Sequence, residues 1–381
     1  MKRVLEVIVL LVAILFLGYA TRQYVYQNGL KERGVFLFRP TSVSEGVNLY
    51  ASTRTPVALL VDNEGKVLHK WNGKNHSGRG WHNVELTSSG DLFAITTDVA
   101  IEKLDAKSEV VWRVNGGFHH DLDIDQKGDI VALSRREEKV TYSKGTIRIL
   151  NDYISFINAD GKIETELSVY SIAKHLVPVD RINLAIEWVD KVQPNVIEND
   201  TPGEIFHTNS IEFIRQEIPG FAKAGDLLLC FRDLDRVVVI DPVSRKLVWE
   251  WGDGQLDRPH HPTLLKNGNL LIFDNGERRG YSRVIELDPR TNKIDWEYLG
   301  DPPESFFSFK RGGSQRLQNG NTLITLGEPG IVMEVTPAKE IVWEFRNPMG
   351  FWSGKGRDKV WQRDTIYRMT RVPDSFLDAL R

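Results

Sequence analysis

A two-strand phrase recurs six times along this 381-residue chain, and that repetition constrains its fold more than any other feature. Each copy is an apolar strand, a polar turn and a second strand ending in an aromatic or large apolar residue. The copies are VALLVDNEGKVLHKW (57–71), AIEKLDAKSEVVWRV (100–114), DYISFINADGKIETEL (152–167), VVVIDPVSRKLVWEW (237–251), SRVIELDPRTNKIDWEY (282–298) and GIVMEVTPAKEIVWEF (330–345). One small sheet per repeat cannot bury both of its faces alone, so the copies must stack around an axis.

A second phrase falls between copies of the first: HNVELTSSGDLFAI from His82, HDLDIDQKGDIVAL from His120, HHPTLLKNGNLLIF from His260 and SQRLQNGNTLITL from Ser314. A looser version opens at His207 and resumes at Gly225. Asn-Gly and Ser-Gly tips between apolar runs mark tight hairpins, because those turns need positive φ. Two hairpins per repeat make a four-stranded blade. The first blade holds only three N-terminal strands, 46–52 and the 57–71 hairpin, so its inner strand is expected near the C-terminus, in IYRMTRVP (366–373). The expected fold is an all-β, six-bladed β-propeller clasped by a C-terminal strand, with five or seven blades as the alternatives.

The N-terminus is built differently. Lys2 and Arg3 precede seventeen residues, 4–20, that are apolar except for a few positions such as Glu6. As a helix they span roughly 25 Å, just short of a bilayer core of about 30 Å. The expected layout is an N-terminal transmembrane helix within 1–26 and a propeller over 27–381. Tyr19, Tyr24 and Tyr26 would sit at the outer interface, and the leading positive charges put the propeller outside the cytoplasm. A cleaved signal peptide ending near Ala20 is the rival, and it also leads to a bacterial periplasm. A net charge of −3 and no basic stripe argue against nucleic acid as a partner. The lone Cys230, inside an apolar strand, reads as a buried small residue. Residues 168–206 break the repeat with an expected helix over 180–192, N-capped by Asp180. This insertion is either rim decoration or a lid over the channel.

Inner strands line a propeller's channel, and here they open with histidine. Six of the nine histidines, His82, His119, His120, His207, His260 and His261, fall at four such starts. A metal is not expected, because carboxylates are sparse at these positions and no H-x-H or H-x-x-x-H pair occurs. Proton shuttling and nucleophilic group transfer remain. Asn209, two residues beyond His207, is expected on the same strand face, and Arg232 supplies a guanidinium suited to a tetrahedral oxyanion.

At these residues the sequence resembles the bacterial arylsulfotransferases, periplasmic six-bladed propellers that move a sulfo group between phenols without a nucleotide donor. The resemblance covers most of 46–345. It is strongest over 260–298, where family members show a His followed by LFDNG and then SRVVEY, and over 312–345. His207-x-Asn209, Arg232 and the HHD run at 119–121 match further family signatures. The resemblance implies no cofactor, an aryl sulfate and a phenol as substrates, and a homodimer as one assembly state. It implies His260 as the nucleophile that forms a sulfohistidine, with His261 as the fallback if the strand is offset by one. His120 or His119, His207, Asn209 and Arg232 would hold the sulfo oxygens or protonate the phenolate, with His82 beside them. The chain departs from the family where it reads His260-His261-Pro262-Thr263 in place of Gln-His and Asp-Ala or Thr-Ala.

The run SFFSFKR (305–311) offers Phe306, Phe307 and Phe309 to an aryl ring and Lys310 or Arg311 to the sulfate, or else it pins a loop into the core. The competing function is a membrane-tethered propeller that binds or scaffolds without catalysis. A quinoprotein reading is discounted, because the chain offers no Ca²⁺ ligand cluster.

Overall fold

The computed structural model describes residues 32–74, 78–142, 145–192, 200–354 and 359–380. The expected N-terminal helix lies outside the described residues. Among those described, no helix is long and apolar enough to cross a membrane.

Six antiparallel sheets, five of four strands and one of five, surround one axis. Blade II holds Asn83–Leu86, Leu92–Thr96, Ala100–Leu104 and Val110–Asn115. Blade III holds Phe118–Ile124, Ile130–Tyr142, Gly145–Ile157 and Ile163–Ser168. Blade IV holds Thr208–Phe213, Leu227–Phe231, Arg236–Asp241 and Lys246–Trp251. Blade V holds Pro259–Leu264, Leu270–Asp274, Arg283–Asp288 and Lys293–Tyr298. Blade VI holds Gly312–Arg316, Thr322–Leu326, Ile331–Val335 and Ile341–Arg346. Second strands such as Leu227–Phe231 and Leu270–Asp274 are buried along their whole length, sandwiched by neighbouring blades.

Blade I is closed as the repeat count demands. Ile366–Val372 pairs with Val47–Ser52, followed by Val57–Val61 and Val67–Asn72. Arg371 of this clasp is buried. It bonds Asn48 at 2.9 Å and ion-pairs with the buried Glu334 of blade VI. A second tie was not foreseen: Gly34–Phe38 adds a fifth strand to blade VI outside Ile341–Arg346. Segments from the N-terminal and C-terminal parts of the described chain therefore bind across the seam between blades VI and I.

The recurring tryptophan has a physical role. Indole N–H groups of Trp112, Trp249, Trp296 and Trp343 donate to the carbonyls of Ala159, Pro289, Pro337 and Asn63, at 2.9, 3.2, 3.1 and 2.8 Å. Each acceptor lies in the outer turn of the next blade. In blade I, His69 occupies the equivalent position and contacts the Ala106 carbonyl at 2.9 Å. Each such latch contributes about 0.5–1.5 kcal/mol net. Blade III has Thr165 at this place and no indole to offer, and it is the blade from which the insertion departs.

The insertion has its own core. The two middle strands of blade III run far beyond the other blades, as Ile130–Tyr142 and Gly145–Ile157. The helices Val169–Ala173 and Val179–Glu187 pack on that extension through Tyr170, Ala173, Ile182 and Ala185, against Val140, Ile147 and Ile149. The N-cap is Pro178 rather than Asp180, which sits in the first turn. The helix gives way to a π turn, Trp188–Val192. The described helices of the insertion thus pack beside blades III and IV. Its end brings Asp200 and Glu204 to the channel mouth.

Candidate active site

Three inner strands carry a left-handed residue where no glycine stands: His120 (φ +56°), His207 (+48°) and His261 (+46°). At the same places the pairing to the second strand slips, between Ala132 and Ser134, between Thr208 and Ser210, and between His260 and Thr263. A bulge of this kind re-aims side chains, and the strain of about 1–3 kcal/mol is held by the surrounding sheet. Strict alternation, which would put His207 and Asn209 on one strand face, therefore fails here. Asn209 instead donates its amide to the Pro259 carbonyl of blade V at 2.9 Å, and its buried Oδ1 has no partner.

Blades II, III and IV bring their histidines together. The His120 ring centroid lies 5.2 Å from His82, 4.8 Å from His207 and 4.9 Å from His119. Tyr367 from the clasp packs 4.0 Å from His82, and its hydroxyl donates to the Asn209 carbonyl at 3.2 Å. That bond runs from blade I to blade IV, opposite sides of the ring, so Tyr367 bridges the channel. Burial raises its phenol pKa, and the hydroxyl stays protonated.

The three channel rings differ in what holds Nδ1. His260 Nδ1 faces the Asn275 Oδ1 at 2.6 Å. The Asn275 amide nitrogen donates to the Ser308 and Arg311 carbonyls at 2.7 and 3.0 Å, so its oxygen must face His260. His260 therefore carries its proton on Nδ1 and leaves Nε2 bare. Its pKa lies well below the ordinary histidine value, through burial first and then the charges of Arg232 and His207. His207 Nδ1 instead donates to the buried Glu204 carboxylate at 2.9 Å. Glu204 is braced by Arg135 at 2.8 Å, and Arg135 in turn by a double contact to Asp98. His120 Nδ1 meets His119 Nδ1 at 2.6 Å, and His119 Nε2 lies 3.4 Å from Asp152.

Asn275 belongs to the LFDNG-like run at 272–276, and each polar residue there has a use. Asp274 accepts from Arg283 at 2.7 Å and from the Asp257 backbone at 2.8 Å. Gly276 (φ +69°) admits no side chain, because a Cβ would come within 1.8 Å of the Tyr281 carbonyl.

Cations cluster above the rings but are already engaged. Arg232 follows the second strand of blade IV and contacts Asp200 and Asp233 at 3.0 Å and Glu277 at 3.3 Å. Lys310 reaches Asp200 at 2.9 Å, and Arg311 reaches Glu328 at 3.0 Å. Burial opposes ionisation of Asp200, but Lys310, His207 and Arg232 outweigh it and lower its pKa to about 2. Among the described residues, no three His, Cys, Asp or Glu groups converge to hold a metal ion.

Two expected site residues lie elsewhere. His261 turns away from His260: its Nδ1 accepts from the Ser314 backbone at 3.3 Å, and its ring lines a cavity of about 270 Å³ with Glu85, Asp121, Glu212 and Arg368. Later residues of the same inner strands, such as Asp123 and Gln315, line that cavity too, so it lies farther along the channel. Phe306 is a core residue, 2% exposed and packed edge-on to Tyr298 at 5.1 Å, so it is unavailable to a substrate ring. Phe307 is half-buried, 6.3 Å from the exposed Phe309. Asn275, Tyr367, Glu204 and Asp152 join the cluster without having been singled out from sequence. Only Asn275 had a signal, its place in the family phrase.

Fold and site together define a six-bladed propeller with a histidine-lined channel. Residues 57–348 match the arylsulfotransferase (ASST) family, and the chain belongs to it. No curated protein matches. Among solved structures, a protein of unknown function from Bacteroides caccae is similar at TM-score 0.54 and 13% identity, covering 80% of this chain and 94% of that one. A streptogramin B lyase aligns at TM-score 0.47 and 13% identity, over 89% and 97% of the two chains. Apo AztD from Citrobacter koseri aligns at 0.43 and 10%, over 85% and 98%. The first of these likenesses shows the shared propeller fold.

Proposed function

We propose that this protein transfers a sulfo group from an aryl sulfate ester to a phenol through a sulfohistidine on His260. The observation that carries the assignment is the neutral partner on its Nδ1. A primary amide orients the ring while favouring its cation far less than a carboxylate would, so Nε2 is left bare as a nucleophile. His207 has a carboxylate on Nδ1, and His120 has one at the end of a two-ring chain. Those two rings are suited to holding sulfo oxygens and to moving a proton.

Nε2 of His260 attacks sulfur and the S–O bond to the phenol breaks. The phenolate takes a proton from His120. A second phenol then returns a proton to His120 and attacks the sulfur of the sulfohistidine, and the N–S bond breaks to regenerate neutral His260. By analogy with phosphoryl transfer, catalysis is mostly positioning and electrostatics. Arg232 and Lys310 are the clamp, released from Asp200 as the sulfate arrives. The N-terminal segment is the membrane anchor, and the propeller works in the periplasm.

One observation favours a binding module without catalysis: Arg232 already contacts three carboxylates. The separating experiment is nucleotide-free sulfo transfer by the full chain, from a nitrophenyl sulfate to a phenol. Loss of transfer in His260→Ala but not in His261→Ala supports the enzyme. No transfer with any of a panel of donors supports the module.

A further inference from the structure

We infer that Asp152, His119 and His120 form a proton relay, in which Asp152 and His119 are positioning residues that set the charge carried by His120. The inference rests on the reading above for its chemical use, but its geometry stands independently. His119 and His120 are consecutive, yet their rings serve different places. The bulge at His120 turns one ring to the channel and leaves the other fully buried beneath it. Their Nδ1 atoms lie 2.6 Å apart, so one proton sits between them: two protons would clash and none would leave two lone pairs opposed.

Behind them lies an orphan pair. His119 Nε2 and Asp152 Oδ1 are both buried and neither has a hydrogen-bond partner, yet they face each other at 3.4 Å. Buried polar atoms left unpaired are rare and call for an explanation. Asp152 cannot retreat, because its other oxygen accepts the Thr208 backbone N–H of blade IV at 2.7 Å. The contact is one that tightens when His119 becomes an imidazolium.

The relay has two states. In the loaded state His119 is a cation, with Nε2–H toward Asp152 and Nδ1–H donated to His120 Nδ1, and His120 carries its other proton on Nε2. When the leaving phenolate takes the Nε2 proton, the His119 Nδ1 proton crosses to His120 Nδ1. His119 is then neutral, still with Nε2–H toward Asp152, and His120 Nε2 is bare. The acceptor phenol reverses both transfers, so protons balance over the cycle.

The surroundings explain why the charge needs this detour. His120 is faced by His82 from blade II, Tyr367 from the clasp, His207 with Glu204 from blade IV, and Arg135 from its own blade. Burial, then His207, His119, His82 and Arg135, all disfavour a cation on His120. Burial also raises Asp152, but His119 and the Thr208 N–H outweigh it and keep its carboxyl below the ordinary value. The carboxylate is therefore in place for a charge on His119.

The test has two arms. In ¹⁵N NMR of the full chain with labelled histidine, the deprotonated pair should show His120 as the Nδ1–H tautomer and His119 as Nε2–H. Asp152→Asn, which keeps the Thr208 contact, should move protonation of the pair to lower pH. An Nε2–H tautomer on His120 in the deprotonated pair overturns the relay, whatever the activity. In the second arm, Asp152→Asn should slow sulfo-enzyme formation from unsubstituted phenyl sulfate by about 10²-fold or more. The nitrophenyl ester, whose phenolate leaves unprotonated, should be nearly unaffected. Equal slowing of both esters overturns the relay in favour of a structural Asp152. Relay tautomers in a protein that transfers no sulfo group would overturn the sulfotransferase reading and leave the relay standing.

Discussion

Asn275→Ala removes one amide and separates two consequences. The lost contact is the 2.6 Å bond from His260 Nδ1–H to Oδ1. With a neutral ring, such a bond contributes about 1 kcal/mol net, but it becomes charge-assisted as attack on sulfur makes the ring positive, at about 1.5–3 kcal/mol. The ring also loses the group that fixes its tautomer, keeping only the Arg258 carbonyl at 3.3 Å. The expected fall in kcat/KM is roughly 10- to 100-fold, or about 1.4–2.7 kcal/mol. Folding suffers less, at about 0.5–1.5 kcal/mol for each bond lost, because the Ser308 and Arg311 carbonyls keep the Ser282 and Ser308 hydroxyls as donors. The assay is the burst of coloured phenol from nitrophenyl sulfate, run below the variant's unfolding midpoint. Asn275→Asp is the comparator. It still accepts from Nδ1–H, but its charge raises the ring's pKa, so its rate should recover only as pH rises. A folded Asn275→Ala protein with the wild-type burst rate would refute the tautomer argument.

The kcat/KM profile should keep full activity below the ordinary histidine value of about 6.5, because the nucleophilic neutral form of His260 is lost only as pH falls through its lowered pKa. Thermal stability should fall with acid over the same range. Burial lowers His82, His120, His260 and His261, so below about pH 6.5 the unfolded chain binds protons that the folded chain refuses. Glu85 and Glu212, raised by burial to about 8, act in the opposite sense: their stabilisation is full at acid pH and fades as pH rises toward 8. Glu85→Gln should flatten that alkaline decline in a thermal melt. Arg371→Met should cost about 3–5 kcal/mol in urea unfolding, because it strands buried Glu334 at the seam. Phe306→Ala should cost about 3–5 kcal/mol of stability while leaving KM for aryl sulfates unchanged.

The ring was legible because it repeats. Apolar period, Gly turns and the lone first-blade deficit together pointed to six sheets, with five or seven as alternatives, and to a C-terminal clasp, and Val47 indeed pairs with Val372. The long hairpin of blade III was not legible, because residues 135–151 are charged and patterned for exposure to neighbours that only the insertion supplies. The histidines announced themselves by position, but which ring does what depended on bulges. A strand read as strict alternation puts Asn209 beside His207, whereas one extra residue sends it to Pro259. The same irregularity parts His260 from His261. The partners that distinguish the rings, Asn275, Glu204 and Asp152, come from other strands, and a linear reading has no means of joining them.

The most direct measurement is the mass of the full-length protein after brief exposure to an aryl sulfate with no acceptor present. The expected result is a gain of one SO₃ group, mapped to His260, stable at alkaline pH and discharged by added phenol. A stable adduct on His261 or His207, or released phenol with no adduct in any time window, would contradict it.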